Sequence, residues 1–190
     1  MIQLYWCRAT KALNKLIGHM SFPGTITVPT KVFEQIIEYA ARSLKSHGFK
    51  EIYFVGDSGG NQDSQHVVAE LLSKEWEDEK ILVQYVGDYY FKNEQFGWLE
   101  KKGFSKWDIG FHAGIRDTSE MLTVFPAGVK LQYKVSEIDN LYNGSHGDAS
   151  KASPEIGSQM LMLKFDAAVK QIERVRTMHV INNHGFGLRK

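Results

Sequence analysis

The stretch from Glu51 to Gln65 constrains the fold most strongly, because it joins three local patterns in order. Residues 52–55 are β-branched, aromatic or aliphatic, which predicts a short buried strand. Segment 56–61 (GDSGGN) contains only glycine and polar residues, which predicts a tight turn. From Gln62 apolar side chains recur at helical spacing. The order strand, glycine turn, helix is typical of α/β proteins, in which ligands bind at the carboxyl ends of strands.

The turn has several interpretations. Residues 56–60 (GDSGG) spell the nucleophile string of chymotrypsin-like serine proteases, but those are all-β and disulfide-rich, whereas this chain alternates strands with helices and has one cysteine. A GDS-type esterase would expose Ser58 as nucleophile on a strand-to-helix turn. That class expects an Asp-x-x-His pair near the C-terminus, and the sequence shows none there. A purely structural turn is the simplest interpretation, and choosing among these requires the rest of the chain.

Composition bounds the class of protein. With 190 residues and 43% hydrophobic side chains, the chain can bury a core, and we predict one domain over 1–190. A net charge of +1 gives no electrostatic reason to expect nucleic acid or an anionic membrane as partner. One cysteine rules out an internal disulfide and fits a reducing, cytoplasmic compartment. No apolar run reaches the roughly 20 residues that span a bilayer, and we predict no signal peptide.

Periodic patterns along the chain alternate between helix and strand, which favours an α/β fold. Ser153 as N-cap and Pro154 at the first helical position predict the start of a long last helix. Loops are predicted at 107–114 and 140–153, and the tail from 179 as an edge strand or a loose end. The predicted helices are 30–47, 62–76, part of 91–104, 118–125 and 154–176. The predicted strands, besides the first, are 80–86 and 129–135.

Four stretches, taken together, resemble the creatininase family of creatinine amidohydrolase-like metal hydrolases. They are 19–25 (HMSFPGT), the turn 56–61, Asp108 with 112–119 (HAGIRDTS), and the segment 147–157 containing GDA and Glu-Ile-Gly. Their order and spacing fit the family from residue 19 to about 176. The resemblance implies a three-layer α/β/α fold with a largely parallel sheet, usually assembled as a homohexamer.

The resemblance also implies an activity: hydrolysis of a C–N bond in a small, cyclic or linear amide substrate with a divalent metal, zinc or manganese. His112 occupies the family's catalytic histidine position and would protonate the leaving nitrogen. Asp117 would orient His112 or cap the following helix, and Asp57 would act as a metal ligand or an N-cap. The predicted catalytic residues are His112, Asp117 and Asp108. The predicted substrate-binding residues are Ser58, Gly59, Gly60, Asn61 and Trp107.

The sequence departs from the family pattern at several ligand positions. Ser58 stands where the family has a metal-binding histidine, Gly60 where creatininase has a glutamate, and Ile115 where the family has an acidic residue. The family's early E-x-H-G…D segment is not found before residue 19, so we interpret the chain as a divergent, N-terminally truncated member whose residues 1–18 are atypical. We therefore expect weak metal binding.

These departures leave two other functions open. One is a catalytically inactive subunit or binding scaffold of the same fold. The other is a metal-free serine hydrolase that uses Ser58. The missing segment would also leave a sheet edge or an apolar face open, so we expect an oligomer rather than a stable monomer.

Overall fold

The computed structural model describes Met20 and residues 26–130 and 144–184. These fall into two compact units. The first unit takes in the described residues up to Lys92 and those from Ala167 onward, and the second unit is Asn93–Asp166. The single domain over 1–190 stays a prediction. Most of the predicted strand 129–135 and nearly all of the HMSFPGT motif lie outside the described residues, as do residues 1–18.

The first unit is built around two parallel strands. Strand β1 (Glu51–Phe54) pairs with β2 (Leu82–Tyr85), from Glu51 opposite Leu82 to Phe54 opposite Tyr85. Parallel neighbours need a crossover connection, and helix α2 (Gln62–Glu75) is part of it. Helix α1 (Thr30–Ser46) precedes β1, and α3 (Asp88–Phe91) follows β2. The helices around parallel strands confirm the predicted α/β class.

The core of the first unit is apolar. Leu72 and Trp76, at the end of α2, are almost fully buried and pack with Val83 of β2. On the rim of this core Arg42 makes two parallel bonds to the carboxylate of Glu75, of 2.6 and 2.7 Å, which join α1 to α2. The other buried core members are Ala41, Ile52, Val68, Ala69 and Ile81.

The second unit is helical in its described part. It contains α4 (Gln95–Lys101), α5 (Lys106–Ile109), α6 (Ile115–Val124) and the first part of α7 (Pro154–His184). Its apolar core consists of Leu99, Ile109, Ile115 and Met160. A Cβ added at Gly157 would lie 1.9 Å from the carbonyl oxygen of Ser119, so the glycine of the Glu-Ile-Gly motif lets α7 approach α6 closely.

Several predicted boundaries need correction. Residues 106–109 form a helical turn, so Trp107 and Asp108 do not lie in a loop as predicted. Helix α6 begins at Ile115 instead of residue 118, because extended Gly114 already serves as its N-cap. The predicted N-cap at Ser153 is confirmed, since its Oγ accepts from the backbone N–H of Ile156. The expectation of an edge strand or a loose end from 179 is wrong for 179–184, because α7 continues to His184, and no glycine or proline lies between Gly157 and Gly185.

No helix within the described part of the chain combines the length and the apolar character that crossing a membrane would require.

Candidate functional site

The glycine turn of the first unit lies between β1 and α2, as predicted. Residues Gly59–Asn61 form a single 3₁₀ turn, and Asn61 donates its backbone N–H to the carbonyl of Ser58 at 3.0 Å. Ser58 precedes this turn in extended conformation, and its side chain makes no capping bond. Asp57, Gly59 and Gly60 are exposed. The backbone of this turn is therefore accessible at the carboxyl end of a parallel strand.

The side-chain amide of Gln62 forms hydrogen bonds to the backbone of the turn. Its Nε2 donates to the carbonyls of Gly56 at 3.0 Å and Ser58 at 2.8 Å. Its Oε1 accepts from the hydroxyl of Tyr85 on β2 at 2.5 Å. Gln62 is only 2% exposed. From the helical pattern alone, this glutamine is expected to be a polar surface residue, so the sequence did not predict its structural role.

A side chain at either of two glycines of the turn would force a neighbouring side chain to shift. A Cβ on Gly56 would lie 2.1 Å from Nε2 of Gln65, which is itself buried. A Cβ on Gly59 would lie 2.9 Å from the hydroxyl of Tyr90, in the segment after β2. The turn after β1 and the segment after β2 therefore meet at Gly59, where neighbouring parallel strands both end.

The predicted catalytic histidine lies in the second unit, on an antiparallel bridge. His112 and His146 exchange backbone bonds in both directions, at 3.2 and 2.6 Å. Phe111 also donates its N–H to the carbonyl of His146 at 2.8 Å. The HAG stretch and the GDA stretch, separated by 32 residues in the sequence, are thus adjacent in space. This bridge fixes the backbone on which His112 stands.

Three glycines allow the two loops to approach. A Cβ on Gly110, where φ is +62°, would lie 1.9 Å from the carbonyl oxygen of His146. A Cβ on Gly147, where φ is +133°, would lie 2.8 Å from the Cα atoms of Gly110 and Gly114. Any side chain at Gly110 or Gly147 would be strained as well as crowded. The resulting backbone-to-backbone packing leaves no space for a side chain at Gly110 or Gly147 between the two loops.

Asp117 holds the chain directly after His112. One carboxylate oxygen accepts the backbone N–H of Ala113 at 3.2 Å, and the other accepts from Nε of Arg116 at 3.0 Å. The hydroxyl of Thr118 donates to the carbonyl of Ala113 at 3.0 Å. Ala113 has a φ of +53°, an uncommon conformation for a residue with a side chain. The first turn of α6 therefore secures this tight bend.

The carboxylate of Asp108 takes part in the N-terminal cap of α5. It accepts from the backbone N–H and the hydroxyl of Ser105, at 2.8 and 2.7 Å, and Ser105 in turn caps the N–H of Asp108. The hydrogen bonds from Ser105 lower the pKa of Asp108 below its ordinary value. The backbone carbonyl of Asp108 accepts from the N–H of Asp148 at 3.3 Å.

Aromatic rings surround His146. The ring of Trp107 meets it edge-on at 5.2 Å, and the ring of Phe111 lies 5.1 Å away. Nδ1 of His146 is buried without a hydrogen-bond partner among the described residues. Sequence reasoning assigned this histidine no role, although it directly precedes the GDA motif. Its position opposite His112 makes it part of the same loop pair.

The structure divides the predicted site residues into two groups. Asp57, Ser58, Gly59, Gly60 and Asn61 lie together in the turn of the first unit. Trp107, Asp108, His112 and Asp117 lie within a short segment of the second unit. In the part of the chain that the structure describes, no three histidine, cysteine, aspartate or glutamate side chains gather as a metal centre would require. The described residues therefore do not fit a divalent-metal site of three or four protein ligands.

Comparisons with known proteins identify the family of this chain. The structure is an α/β protein with a parallel strand pair and a glycine turn at the carboxyl end of a strand. Residues 14–172 match the creatininase family model, described as creatinine amidohydrolase. The chain therefore belongs to the creatininase family. No curated protein matches the sequence.

Solved creatininase structures share the fold. A glutamate-to-glutamine mutant creatininase complexed with creatine is 23% identical with a TM-score of 0.59, and the match covers 80% of this chain and 68% of that one. The Zn-Zn type of such a mutant and a creatininase with Mn are each 23% identical with a TM-score of 0.60, with 80% and 67% covered. The chain thus spans about two thirds of these relatives' length.

Proposed function

We propose that the chain is a creatininase-like amidohydrolase that hydrolyses a C–N bond of a small amide. The family match over residues 14–172 supports this class of reaction. The observation that carries the proposal is the His112 loop, where a histidine stands on a bend fixed by Asp117 and by the bridge to His146. A preorganised histidine is what proton transfer to a leaving group requires.

His112 is proposed as the proton-transfer residue. Water adds to the amide carbon and gives a proton to the imidazole; the C–N bond then breaks as the imidazolium returns that proton to the leaving nitrogen, so that a carboxylic acid and an amine result. Asp117 holds the backbone of Ala113 and so maintains the position of His112. Asp108 remains a predicted catalytic residue, and Trp107, Ser58, Gly59, Gly60 and Asn61 remain predicted substrate-binding residues.

A divalent metal is the cofactor that the family suggests, and two related structures are a Zn-Zn type and a Mn form. Asp57 is the metal ligand predicted from the sequence, and it is exposed in the turn. The described residues do not gather such a donor set, and we expect weak binding of zinc or manganese. Elemental analysis after dialysis measures this directly. Retention of about one ion or more per chain, the content of a functional site, would contradict the expectation.

A serine hydrolase using Ser58 is the second candidate from the sequence. A nucleophilic serine needs a base within hydrogen-bond reach. In the described part of the first unit no histidine or carboxylate bonds to the Ser58 hydroxyl, so this candidate has no supporting contact. An inactive scaffold of the same fold is the third candidate.

A substrate panel tests the proposal. Purified protein is incubated with cyclic amides, linear amides and small esters, and release of amine or acid is followed. Turnover of an amide supports the amidohydrolase, and turnover of esters alone with labelling of Ser58 by a serine-directed probe supports the serine hydrolase. No turnover of any member, with and without added zinc or manganese, would contradict both and favour the scaffold.

We also propose a homo-oligomer, in line with the family resemblance. Helix α1 exposes three large apolar side chains at helical spacing, Val32, Ile36 and Tyr39. Such a stripe on a helix is suited to an interface. Size exclusion with light scattering measures the mass, and a stable monomer of 21.6 kDa would contradict the proposal.

A further inference from the structure

The most fully bonded buried polar side chain beside the glycine turn is that of Gln62. One amide reaches two carbonyls of the turn and one hydroxyl of the neighbouring strand. Both carbonyls need a donor, so Nε2 must face them, and Oε1 then faces Tyr85. Burial by the surrounding protein, the largest cause, raises the pKa of Tyr85 to about 12. The phenol therefore keeps its proton and acts as a donor, which fixes the orientation of the amide.

This orientation determines where the backbone of the turn points. The carbonyl and N–H of a trans peptide unit point in opposite directions, and no cis peptide occurs in the described part of the chain. Because Gln62 draws the carbonyl of Ser58 toward itself, the N–H of Gly59 is directed to the other side. The Gly56 carbonyl, held by the same nitrogen, sets the direction in which the chain leaves β1.

We infer that Gln62 is a positioning residue: through the carbonyls of Gly56 and Ser58, and with its own orientation set by Tyr85, it aims the backbone N–H of Gly59 at a polar group of the substrate. The functional part of this inference rests on the proposed amidohydrolase, because the turn is its predicted substrate-binding element. Exposed backbone N–H groups that precede a helix are suited to bind an oxygen atom or an anion.

Three variants separate the contacts. Gln62→Leu removes all of them at similar size. Gln62→Glu keeps an acceptor for Tyr85 but loses the donor to the two carbonyls. Tyr85→Phe keeps the ring and removes only the hydroxyl that orients the amide, so we expect it to fold even if the other two variants do not.

Gln171 provides the matched control. It is also a buried glutamine of the first unit with two bonds, since its Nε2 donates to the carbonyl of Tyr85 at 2.9 Å and its Oε1 accepts from the N–H of Asp88 at 2.8 Å. Neither partner lies in the turn. Gln171→Leu should therefore lower general stability without changing the turn.

Hydrogen exchange of the peptide covering 56–62 tests the positioning without a substrate. We expect exchange in Gln62→Leu and Gln62→Glu to be about tenfold faster than in the wild type, as for a locally opened segment, with a smaller increase in Tyr85→Phe and none in Gln171→Leu. Equal exchange in Gln62→Leu and Gln171→Leu would overturn the inference. If Gln62→Leu or Gln62→Glu does not fold, Tyr85→Phe is compared with Gln171→Leu instead. Faster exchange in Tyr85→Phe alone would support the inference, and equal exchange in both would overturn it.

Kinetics on an amide from the substrate panel test the functional part. We expect kcat to fall by about 10- to 100-fold in Gln62→Glu, because a small misplacement of a binding group is costly, while Gln171→Leu keeps its kcat. Unchanged kcat in Gln62→Glu would overturn the catalytic relevance. If the panel yields no substrate, the proposed function fails, and the exchange experiment still decides the role of Gln62.

Discussion

The two units of this chain have different interiors. The core of the first unit is an apolar cluster around Leu72 and Trp76. In the second unit a charged network lies next to the apolar core: Lys164 is 3% exposed and contacts the carboxylate of Glu120 at 2.7 Å. The fully buried amide of Gln95 donates to the same carboxylate and to the carbonyl of Met160. The first unit thus depends on area buried from water, and the second depends also on complementary charge.

The difference matters for how each unit responds to substitution. Removing atoms from an apolar core costs the transfer free energy and leaves a cavity. Removing one partner of a buried ion pair leaves an uncompensated charge, which costs more than the pair itself contributes. A second substitution that removes the remaining charge can therefore repair the second unit, whereas a cavity in the first unit keeps its cost unless neighbouring side chains fill it.

The largest loss of stability is expected for Lys164→Ala. Breaking a buried pair costs about 4 kcal/mol of unfolding free energy, because Glu120 would be left buried without its cationic partner. Urea unfolding followed by circular dichroism measures the loss. The double variant Glu120→Gln with Lys164→Met should recover most of it, since Gln95 keeps an acceptor. A double variant no more stable than Lys164→Ala would show that charge is not what the second unit depends on.

A somewhat smaller loss is expected in the first unit for Leu72→Ala. This side chain is 0% exposed, and such truncations cost about 3 kcal/mol. The same urea experiment applies. Leu72→Met, which nearly conserves volume, serves as the control and should stay within about 1.5 kcal/mol of the wild type. A loss that is equal for both variants would argue against a cavity as the cause.

The smallest expected effect is a pH dependence on the surface of the first unit. The bonds from Arg42, the largest cause, lower the pKa of Glu75 to about 2 in the folded protein. Since the folded value lies below the unfolded one, the stabilisation is present above about pH 4.5 and is lost as the pH falls toward 2. Melting temperatures of wild type and Glu75→Gln should therefore converge in acid. A difference that is constant at all pH values would contradict this assignment.

The contrast between the interiors also explains what the sequence could predict. Apolar periodicity predicted helices α1 and α2 and the parallel strands, because the periodic apolar residues of these elements form the core of the first unit. Lys164 and Gln62 are polar at positions that the structure buries, and a pattern of apolar residues cannot distinguish them from surface residues. Their burial depends on partners such as Glu120 and Tyr85, which are distant in the sequence.

The candidate site shows the same limit. Glycine spacing predicted the turn at 56–61, whereas the bridge that joins the HAG and GDA stretches at His112 was not predicted. The orientation of individual groups was not predictable. Asp108 is engaged by Ser105 in a local cap, and His146 stands opposite His112 without any signal of its own in a single sequence.

The central claim is that His112, rather than Ser58, carries the chemistry. The most direct measurement compares kcat of His112→Ala and Ser58→Ala on the same amide, with folding checked by melting temperature. We expect His112→Ala to lose about 10²- to 10⁴-fold, the usual contribution of a proton-transfer residue, and Ser58→Ala to lose far less. The reverse ranking, with Ser58→Ala the more damaging substitution, would contradict the account and support the serine hydrolase.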